Sequence, residues 1–474
     1  MSDRQLSART LEVALGEWRA ASVPAYRALA DRIRLLVLDG RIPLDSRLPA
    51  ERELADRLAL SRTTVTAAYR SLREAGFASS RQGSGTIVCL PGVAVASLSI
   101  VGGGLLDFSK AALPSAPQLA DAAVRAAAAL PRHLGDSGFD PIGTPELRAA
   151  IADQYTARGL PTAPEQVMVT IGAQHAIALL ARVLVTRGDR VLIEQPSYPH
   201  AFEAMRQAGA RLVPVSVTSE AGWDETQLLQ GLTASNPVLA YLMPDFHNPT
   251  GRSMPAELRE RMLAVAARQG SIIVADETTA ELDIDRPGTY RPLAAYGPAV
   301  LVGSVGKTVW GGVRIGWIRA ERPLIRKLVA ARASGDLGTP VLEQLIVTDL
   351  LRGDWSAIIE QRRQVLAAGR ARVESALAER LPAWTVPHVD GGLSTWVGLG
   401  APVSSQLTLA ARQQGLLVAA GPRFGIEGAF ERFLRIPIGY SDDETERAVD
   451  ALALAWAGLA RSPLSEAGEL ADVV

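Results

Sequence analysis

The sequence predicts a small helical head with a β-hairpin, joined to a larger α/β body built around a mostly parallel sheet. The chain has 474 residues, which is long for one hydrophobic core. Helical spacing dominates the first 90 positions, whereas strand-like apolar runs alternate with helical patterns from about Asp107 onward. The net charge also differs between the two parts. Residues 1–90 contain 14 Arg, no Lys and 10 acidic residues, which gives a net charge of +4. The remaining residues contain 35 basic and 40 acidic side chains, which gives −5. A basic head on a slightly acidic body suits nucleic-acid binding by the head.

The head contains three predicted helices and a hairpin. The helices cover Tyr26–Leu38, Glu51 to about Leu58, and the stretch from the N-cap Ser61 to Ala75, and the hairpin strands are Phe77–Ser80 and Thr86–Leu90. The outward face of the third helix carries Arg62, Thr63, Thr66 and Arg70. Two helices joined by a tight turn, with arginine and threonine facing outward on the second, form the helix-turn-helix arrangement that enters a DNA major groove. A small helical domain with ordinary solvated arginines has the same periodicity.

The residue string of the head resembles the GntR-type winged helix almost throughout. From Leu48 it runs LPAERELADRLALSRTTVTAAYRSLREAGFASSRQGSGTIV, and the likeness covers residues 24–90. The resemblance implies DNA contacts from the wing tip and from two of the helices, namely Arg52, Arg62, Thr63, Thr64, Gly83, Ser84 and Gly85. Ala50 departs from the pattern, since a serine is commoner there, and its helix loses an N-cap worth about 1 kcal/mol.

In the body, polar residues follow the predicted strands at the point where each strand ends. The strand-like runs are Val167–Thr170, Arg190–Glu194, Leu212–Val217, Val238–Met243, Ser271–Ala275 and Val300–Gly303, and helical patterns such as Gln174–Val185 and Pro255–Gln269 lie between them. The polar segments after them are Gly172-Ala173-Gln174, Pro196-Ser197-Tyr198, His247-Asn248-Pro249-Thr250-Gly251, Asp276 and Ser304-Val305-Gly306-Lys307, with Arg314 beyond. Because ligands of such sheets bind at the carboxyl ends of the strands, we expect one crevice there. The turn before Gln174 opens a helix whose free N–H groups favour a phosphate.

Lysine usage points to Lys307. The chain contains three lysines, Lys110, Lys307 and Lys327, and otherwise builds its basic surface from arginine. A lysine amine forms a Schiff base once desolvation or a nearby cation lowers its pKa, whereas a guanidinium cannot. A surface lysine that escaped replacement by arginine fits Lys327 better, because it stands in an Arg-Lys helical context.

These motifs closely resemble fold-type I aminotransferases, which have a large and a small domain and use pyridoxal 5'-phosphate (PLP). The resemblance implies that Lys307 forms the Schiff base, Asp276 pairs with the pyridinium nitrogen, Asn248 binds the ring phenolate and Tyr198 stacks on the ring. It assigns the phosphate to Gly172, Ala173, Gln174, Ser304 and Arg314. In Phe433-Leu434-Arg435-Ile436, it implies that Arg435 grips the α-carboxylate of an amino acid; by itself such an arginine is as consistent with a surface ion pair.

Head and body together resemble the MocR/GabR-type transcription regulators. This implies a GntR-type head over residues 1–90, a linker over 91–106, and a PLP-binding body over 107–474 with its small domain from about 335. It also implies a homodimer, a double-stranded DNA operator, and control by an amino acid or PLP-linked effector.

Three departures concern the chemistry of the body. Thr278 stands where a tyrosine usually supports the phenolate oxygen, Gly306 precedes the lysine where serine is common, and Phe139 replaces a tyrosine that reaches the phosphate of a partner subunit. We therefore expect the pocket to hold the cofactor but to show at most weak transaminase turnover. Two alternatives stay open: a working aminotransferase with an accessory head, and a regulator whose body is only a dimerisation scaffold. Retention of the lysine, aspartate, asparagine and arginine together argues against the scaffold.

The remaining composition indicates a cytoplasmic protein. Cys89 is the single cysteine, which excludes an intramolecular disulfide and a cysteine-based metal site. The N-terminus lacks the apolar core of a signal peptide. Residues 82–106 carry no charge, but their glycines and Pro91 make a poor membrane span, so a wing strand running into a linker is the better interpretation.

Overall fold

The computed structural model describes residues 6–16, 18–19, 24–38, 42, 46–75, 77–81, 85–88, 105–135, 137–288, 290–426 and 429–460. Contacts between residues divide the chain into two compact units. The first comprises the chain up to Leu105 together with Ser405–Gly415 and the chain from Leu454, and the second comprises Leu106–Ser404 and Leu416–Ala453.

The head in the first unit consists of four helices and a two-stranded antiparallel hairpin, in the order α1 (Ala8–Leu15), α2 (Ala25–Leu38), α3 (Glu51–Leu58), α4 (Arg62–Glu74), β1 (Ala78–Arg81) and β2 (Gly85–Val88). The face of α4 that turns away from Arg62 and Arg70 is buried, and Val65 and Leu72 on it are fully enclosed. Ser61 caps α4 by accepting a hydrogen bond from the Thr64 N–H at 3.1 Å, whereas Ala50 gives α3 no side-chain cap. The Tyr69 hydroxyl of α4 donates to the carbonyl of Pro49, just before α3, at 2.9 Å and so ties α4 to the start of α3.

The rest of the chain alternates helices and strands, as the sequence predicts. The elements in order are β3 (Leu106–Phe108), α5 (Leu119–Ala129), α6 (Pro145–Ala157), β4 (Val167–Thr170), α7 (Gly172–Leu184), β5 (Arg190–Gln195), α8 (Pro199–Gln207), β6 (Arg211–Thr218), β7 (Gly222–Trp223), α9 (Glu225–Ala234), β8 (Leu239–Leu242), α10 (Ala256–Gln269), β9 (Ile272–Asp276), β10 (Val300–Ser304), β11 (Gly316–Arg319), α11 (Arg322–Arg332), α12 (Val341–Arg352), α13 (Trp355–Arg380), β12 (Ser394–Gly398), α14 (Ser404–Gln413), β13 (Leu416–Ala420), β14 (Phe433–Pro437) and α15 (Asp442–Ala460).

The described strands of the large sheet run in the order β4-β11-β10-β9-β8-β5-β6-β7. The pairs from β10 through β9, β8 and β5 to β6 are parallel. Side chains of the central strands alternate between two apolar cores: Ala240 and Leu242 of β8 pack into one, and Leu239 and Tyr241 pack into the other. Burial on both faces explains why these strands read as continuous apolar runs.

Strand β11 is a feature that the sequence did not predict. It is four residues long and pairs antiparallel with both β10 and β4. Its insertion makes β4 and β10 run in the same direction, so their carboxyl ends share one edge of the sheet. Gly172, which follows β4, and Lys307, which follows β10, are thereby brought to the same edge.

A second sheet of four described strands has the order β12-β14-β13-β3. Arg435 lies in the middle of β14, paired in register with Trp396 on β12. Because β3 joins the same sheet parallel to β13, the segment just after it, Ser109–Ala111, lies near Arg435. None of the helices in the described part of the chain is both long and apolar enough to span a lipid bilayer.

Candidate functional site

A cavity of about 570 Å³ opens at the carboxyl ends of β4, β5, β8, β9 and β10. Nearly all the residues that the sequence singles out in the body line it: Ala173, Gln174, Tyr198, Asn248, Asp276, Thr278, Ser304, Lys307, Arg314 and Arg435. Gly172 is not among its lining residues but directly precedes Ala173. Residues from five strand ends of the large sheet and from the second sheet therefore converge on one enclosed volume.

Lys307 presents a buried amine to this cavity. Its Nζ donates to the Ala111 carbonyl at 2.7 Å. The pKa of the Lys307 amine is lowered to about 8: burial is the main cause, the positive charge of Arg435 acts in the same direction, and the carboxylate of Asp276 opposes both. Lys110 lines the same cavity but is 75% exposed and ion-paired with Asp107 at 2.9 Å. With a pKa of about 8, roughly a tenth of the Lys307 amine is neutral at pH 7, and the neutral form is the one in which a lysine amine can act as a nucleophile.

Asp276 is held by hydrogen bonds on both carboxylate oxygens. The Thr278 hydroxyl and N–H donate to Oδ1 at 2.7 and 3.0 Å, and the Tyr241 hydroxyl donates to Oδ2 at 2.6 Å. Thr278 thus uses its hydroxyl to orient the carboxylate. Sequence reasoning missed Tyr241 because it lies inside the apolar run of β8; the available signal was that a buried tyrosine needs a partner for its hydroxyl.

The turn at the start of α7 forms a cradle that only glycine fits. Gly172 has a φ of +75°, and a Cβ there would lie 2.9 Å from a guanidinium nitrogen of Arg314. Arg314 donates to the Ile171 carbonyl at 3.1 Å. Nearby, the Ser304 hydroxyl donates to the Ile315 carbonyl at 2.9 Å. The Gln174 Oε1 atom is buried without a hydrogen-bond partner among the described residues. The free N–H groups at the start of α7 and the Arg314 cation suit a phosphate group.

Arg435 also lines the cavity and is buried, with 7% of its surface exposed. Its Nη1 donates to the Asn248 Oδ1 at 3.3 Å, and its guanidinium lies 4.9 Å from the centre of the Phe424 ring. Burial is the main cause that lowers the pKa of Arg435 to about 10, and its Nε atom has no hydrogen-bond partner among the residues that the structure describes. Arg435 makes no ion pair with any described residue. The surface ion pair that its sequence context also allowed is therefore not seen among these residues.

Two features flank Asn248 and the ring-binding region. His247 Nδ1 lies 2.9 Å from the Thr250 hydroxyl, and its other ring nitrogen lies 3.3 Å from buried Glu194, outside hydrogen-bond geometry. Burial raises the pKa of the Tyr198 hydroxyl to about 12, with the nearby Asp276 charge acting in the same direction. Tyr198 therefore stays neutral and presents its ring to the cavity. His247 and Glu194 were not singled out from the sequence.

In the head, the predicted DNA-contacting residues divide by exposure. Arg52, Arg62, Thr63 and Arg70 are exposed, whereas Thr64 and Thr66 are half-buried. Hydroxyls of Thr63 and Thr64 hydrogen-bond with the Ser61 hydroxyl, at 2.8 and 2.7 Å, and Thr66 donates to Glu51 at 2.7 Å. Gly85 begins β2 with a φ of +79°. Gly83 and Ser84 lie outside the described residues.

Comparison with known proteins matches both parts of the chain. The family described as "Aminotransferase class I and II" matches residues 106–452, and "Bacterial regulatory proteins, gntR family" matches residues 25–88. The probable rhizopine catabolism regulatory protein MocR of Rhizobium meliloti is 32% identical over 407 residues, covering 79% of this chain and 82% of that protein. The chain belongs to the MocR-type transcription regulators.

Among other similar proteins, one matches nearly the whole chain and one matches the body. The pyridoxine biosynthesis transcriptional regulator PdxR of Corynebacterium glutamicum is 28% identical and covers 93% of this chain and 97% of its own. The crystal structure of LysN, the α-aminoadipate aminotransferase of Thermus thermophilus, was solved with N-(5'-phosphopyridoxyl)-L-leucine. It matches with a TM-score of 0.68 and 30% identity, covering 76% of this chain and 93% of LysN. The chain is therefore a MocR-type DNA-binding regulator with a body of the PLP-dependent aminotransferase fold.

Proposed function

We propose that this regulator carries PLP on Lys307, binds an amino acid beside it, and uses that binding to control the head's affinity for operator DNA. The observation that supports this most is the buried amine of Lys307, whose pKa of about 8 is set between Arg435 and Asp276. A buried lysine with no bound ligand is costly in a scaffold, since burial opposes its charge. The scaffold alternative gives no reason to keep it.

The residues of the cavity fit the cofactor. Gly172, Ala173, Gln174, Ser304 and Arg314 would hold its phosphate, as the positive-φ glycine turn at the start of α7 and the Arg314 guanidinium beside it support. Asp276, oriented by Tyr241 and Thr278, would keep the pyridine nitrogen protonated, Asn248 would donate to the ring oxygen, and Tyr198 would cover a ring face. When bound, PLP supplies a reversible imine link and an electron sink.

Arg435 would bind the α-carboxylate of the amino acid. Its guanidinium is positioned by the Phe424 ring and by Asn248, which limits its conformational freedom before the ligand arrives. A carboxylate would supply the negative charge that this buried cation lacks among the described residues. A charge-assisted pair in such a site is strong because both groups are shielded from water.

We propose a sensor with at most weak transaminase turnover. The Thr278 hydroxyl is engaged by Asp276, and it lacks the reach of a tyrosine toward the ring oxygen. Capture needs Arg435 and Lys307, whereas turnover also needs a ring oxygen held in its charged form. Turnover with a panel of amino donors and keto acids should stay far below the several-per-second level of ordinary enzymes. Ordinary turnover would favour the working-aminotransferase alternative.

The proposed organisation is a cytoplasmic homodimer on a double-stranded operator. Each chain would have the head at 1–90, the linker at 91–106 and the body at 107–474, with its small domain from about residue 335. The arginines of α3 and α4 would meet phosphates and base edges, together with the wing tip at Gly83 and Ser84. The effector would be an amino acid or a PLP-linked small molecule.

Reduction with borohydride tests the central assignment. Purified protein incubated with PLP and reduced should carry the pyridoxyl group on the peptide that contains Lys307. Lys307→Ala should abolish both the label and the visible absorbance, while Lys327→Ala, which changes an exposed lysine of α11, should leave both intact. Label on Lys110 or Lys327, or no label on the wild-type protein, would refute the proposal.

A further inference from the structure

The cavity holds more positive charge than a cofactor and one α-carboxylate require. Asp276 is the one carboxylate among its described lining residues, and the cationic side chains are Lys110, Lys307, Arg314, Arg423 and Arg435. Under the proposed function, Lys307 carries the cofactor, Arg314 faces its phosphate and Arg435 takes the α-carboxylate. Lys110 is paired with Asp107. Arg423 is left without an assigned role.

Arg423 lies at the amino-acid side of the cavity. It belongs to the 3₁₀ turn Gly421–Phe424, which follows β13, and the next residue supplies the ring over which the Arg435 guanidinium lies. The Arg423 side chain is exposed, and no described residue gives it a hydrogen bond or an ion pair. Burial is the main cause of the lowered pKa of Arg435, and the charge of Arg423 contributes to it. The two guanidiniums are therefore close enough to repel each other.

We propose that Arg423 is a specificity-determining residue that selects amino acids with a second anionic group, such as a carboxylate, at the end of the side chain. This rests on the proposed function, because it assumes that Arg435 takes the α-carboxylate. The α-carboxylate neutralises one of the two guanidiniums, and a terminal anion would neutralise the other. An uncharged end leaves the Arg423 charge unpaired, and a cationic end is repelled by it.

Spectral titration of the PLP-loaded, full-length protein tests this with amino acids of equal length. L-2-Aminoadipate, L-norleucine and L-lysine differ only in having an anionic, neutral or cationic end, and L-glutamate, L-norvaline and L-ornithine form a shorter set. Wild-type protein should bind the anionic member of at least one set most tightly. Arg423→Gln should weaken that member about tenfold, as expected for the loss of one charge-assisted hydrogen bond, and leave the neutral member unchanged. The preference should shrink at high salt.

Two variants and one readout separate the possible failures. Arg423→Lys should retain part of the preference, whereas Arg268→Gln, which removes an exposed arginine of α10 outside the cavity, should retain all of it. The role of Arg423 is overturned if wild-type protein binds the anionic, neutral and cationic amino acids of each set equally well, or if Arg423→Gln weakens the binding of all three equally. Either result leaves the proposed function standing. If no amino acid changes the spectrum of protein labelled on Lys307, amino-acid sensing and the Arg423 assignment both fail.

Discussion

The head and the cavity place their cationic side chains in opposite environments. In the head, Arg52, Arg62 and Arg70 are exposed, so their charges stay hydrated until a phosphate or base edge replaces water. In the cavity, Lys307 is half-buried and Arg435 is buried, and loss of hydration is the main cause of the lowered pKa of both. The same chain therefore uses positively charged side chains in two ways. The exposed set should respond mainly to salt, and the buried set mainly to pH and to the charge of a bound ligand.

The pH dependence of cofactor attachment should show the largest effect. The attacking form of Lys307 is the neutral amine, and its fraction rises with pH up to the pKa of about 8. The initial rate of PLP attachment, followed by absorbance, should therefore increase about tenfold per pH unit below 8 and level off above it. Arg435→Gln removes a cation that lowers this pKa, so its profile should move to higher pH. A wild-type profile that still rises steeply up to pH 10 would mean that the amine is not desolvated.

DNA affinity should depend on Arg62 and on salt. Arg62→Ala should cost about 1–3 kcal/mol of binding to the native upstream region if Arg62 reads a base, measured by fluorescence anisotropy. Wild-type affinity should fall as salt rises, because phosphate contacts release counterions. Arg9→Ala, which removes an exposed arginine of α1, is the matched control and should bind as wild type. Unchanged affinity of the Arg62 variant would remove that residue from the reading face.

The orientation of Asp276 should depend on the Thr278 hydroxyl. Thr278→Val removes one hydrogen bond to the carboxylate and should weaken PLP binding by about 1.5 kcal/mol, measured by equilibrium titration. Thr278→Ser retains a hydroxyl and should bind PLP nearly as wild type. If the valine and serine variants bind PLP equally well, the hydroxyl has no part in holding the cofactor.

The smallest expected effect separates stability from DNA reading in α4. Thr66 donates to Glu51 and so ties α4 to α3, whereas Thr63 is exposed. Thr66→Val should lower the free energy of unfolding by about 1 kcal/mol, measured by urea denaturation, and should weaken DNA binding less than Arg62→Ala. Thr63→Val should leave the free energy of unfolding nearly unchanged and should weaken DNA binding more than Thr66→Val does. A Thr66 variant with wild-type stability and strongly reduced affinity would make Thr66 a direct contact.

Local patterns in the sequence determined much of this protein. The spacing of apolar residues was enough to predict α2, α3 and α4 to within a residue or two, because each buries one stripe. Apolar runs located six strands of the large sheet, and all of these except β6, which has exposed residues along its length, are covered on both faces. Glycine turns and polar residues at strand ends predicted a crevice there, and the candidate cofactor-binding residues except Gly172 line one cavity.

Only the tertiary structure decided which partners each side chain meets. Tyr241 contacts Asp276 across neighbouring strands, Lys307 contacts the Ala111 carbonyl, and Arg423 shares a cavity with Arg435 because two sheets meet there. Strand β11 begins with Gly316 and ends with Arg319, so it shows no continuous apolar run, yet its antiparallel insertion sets the common direction of β4 and β10. Sequence patterns report which face of an element is buried. The distances, hydrogen bonds and pKa shifts arise from segments far apart in the chain, and no local pattern encodes them.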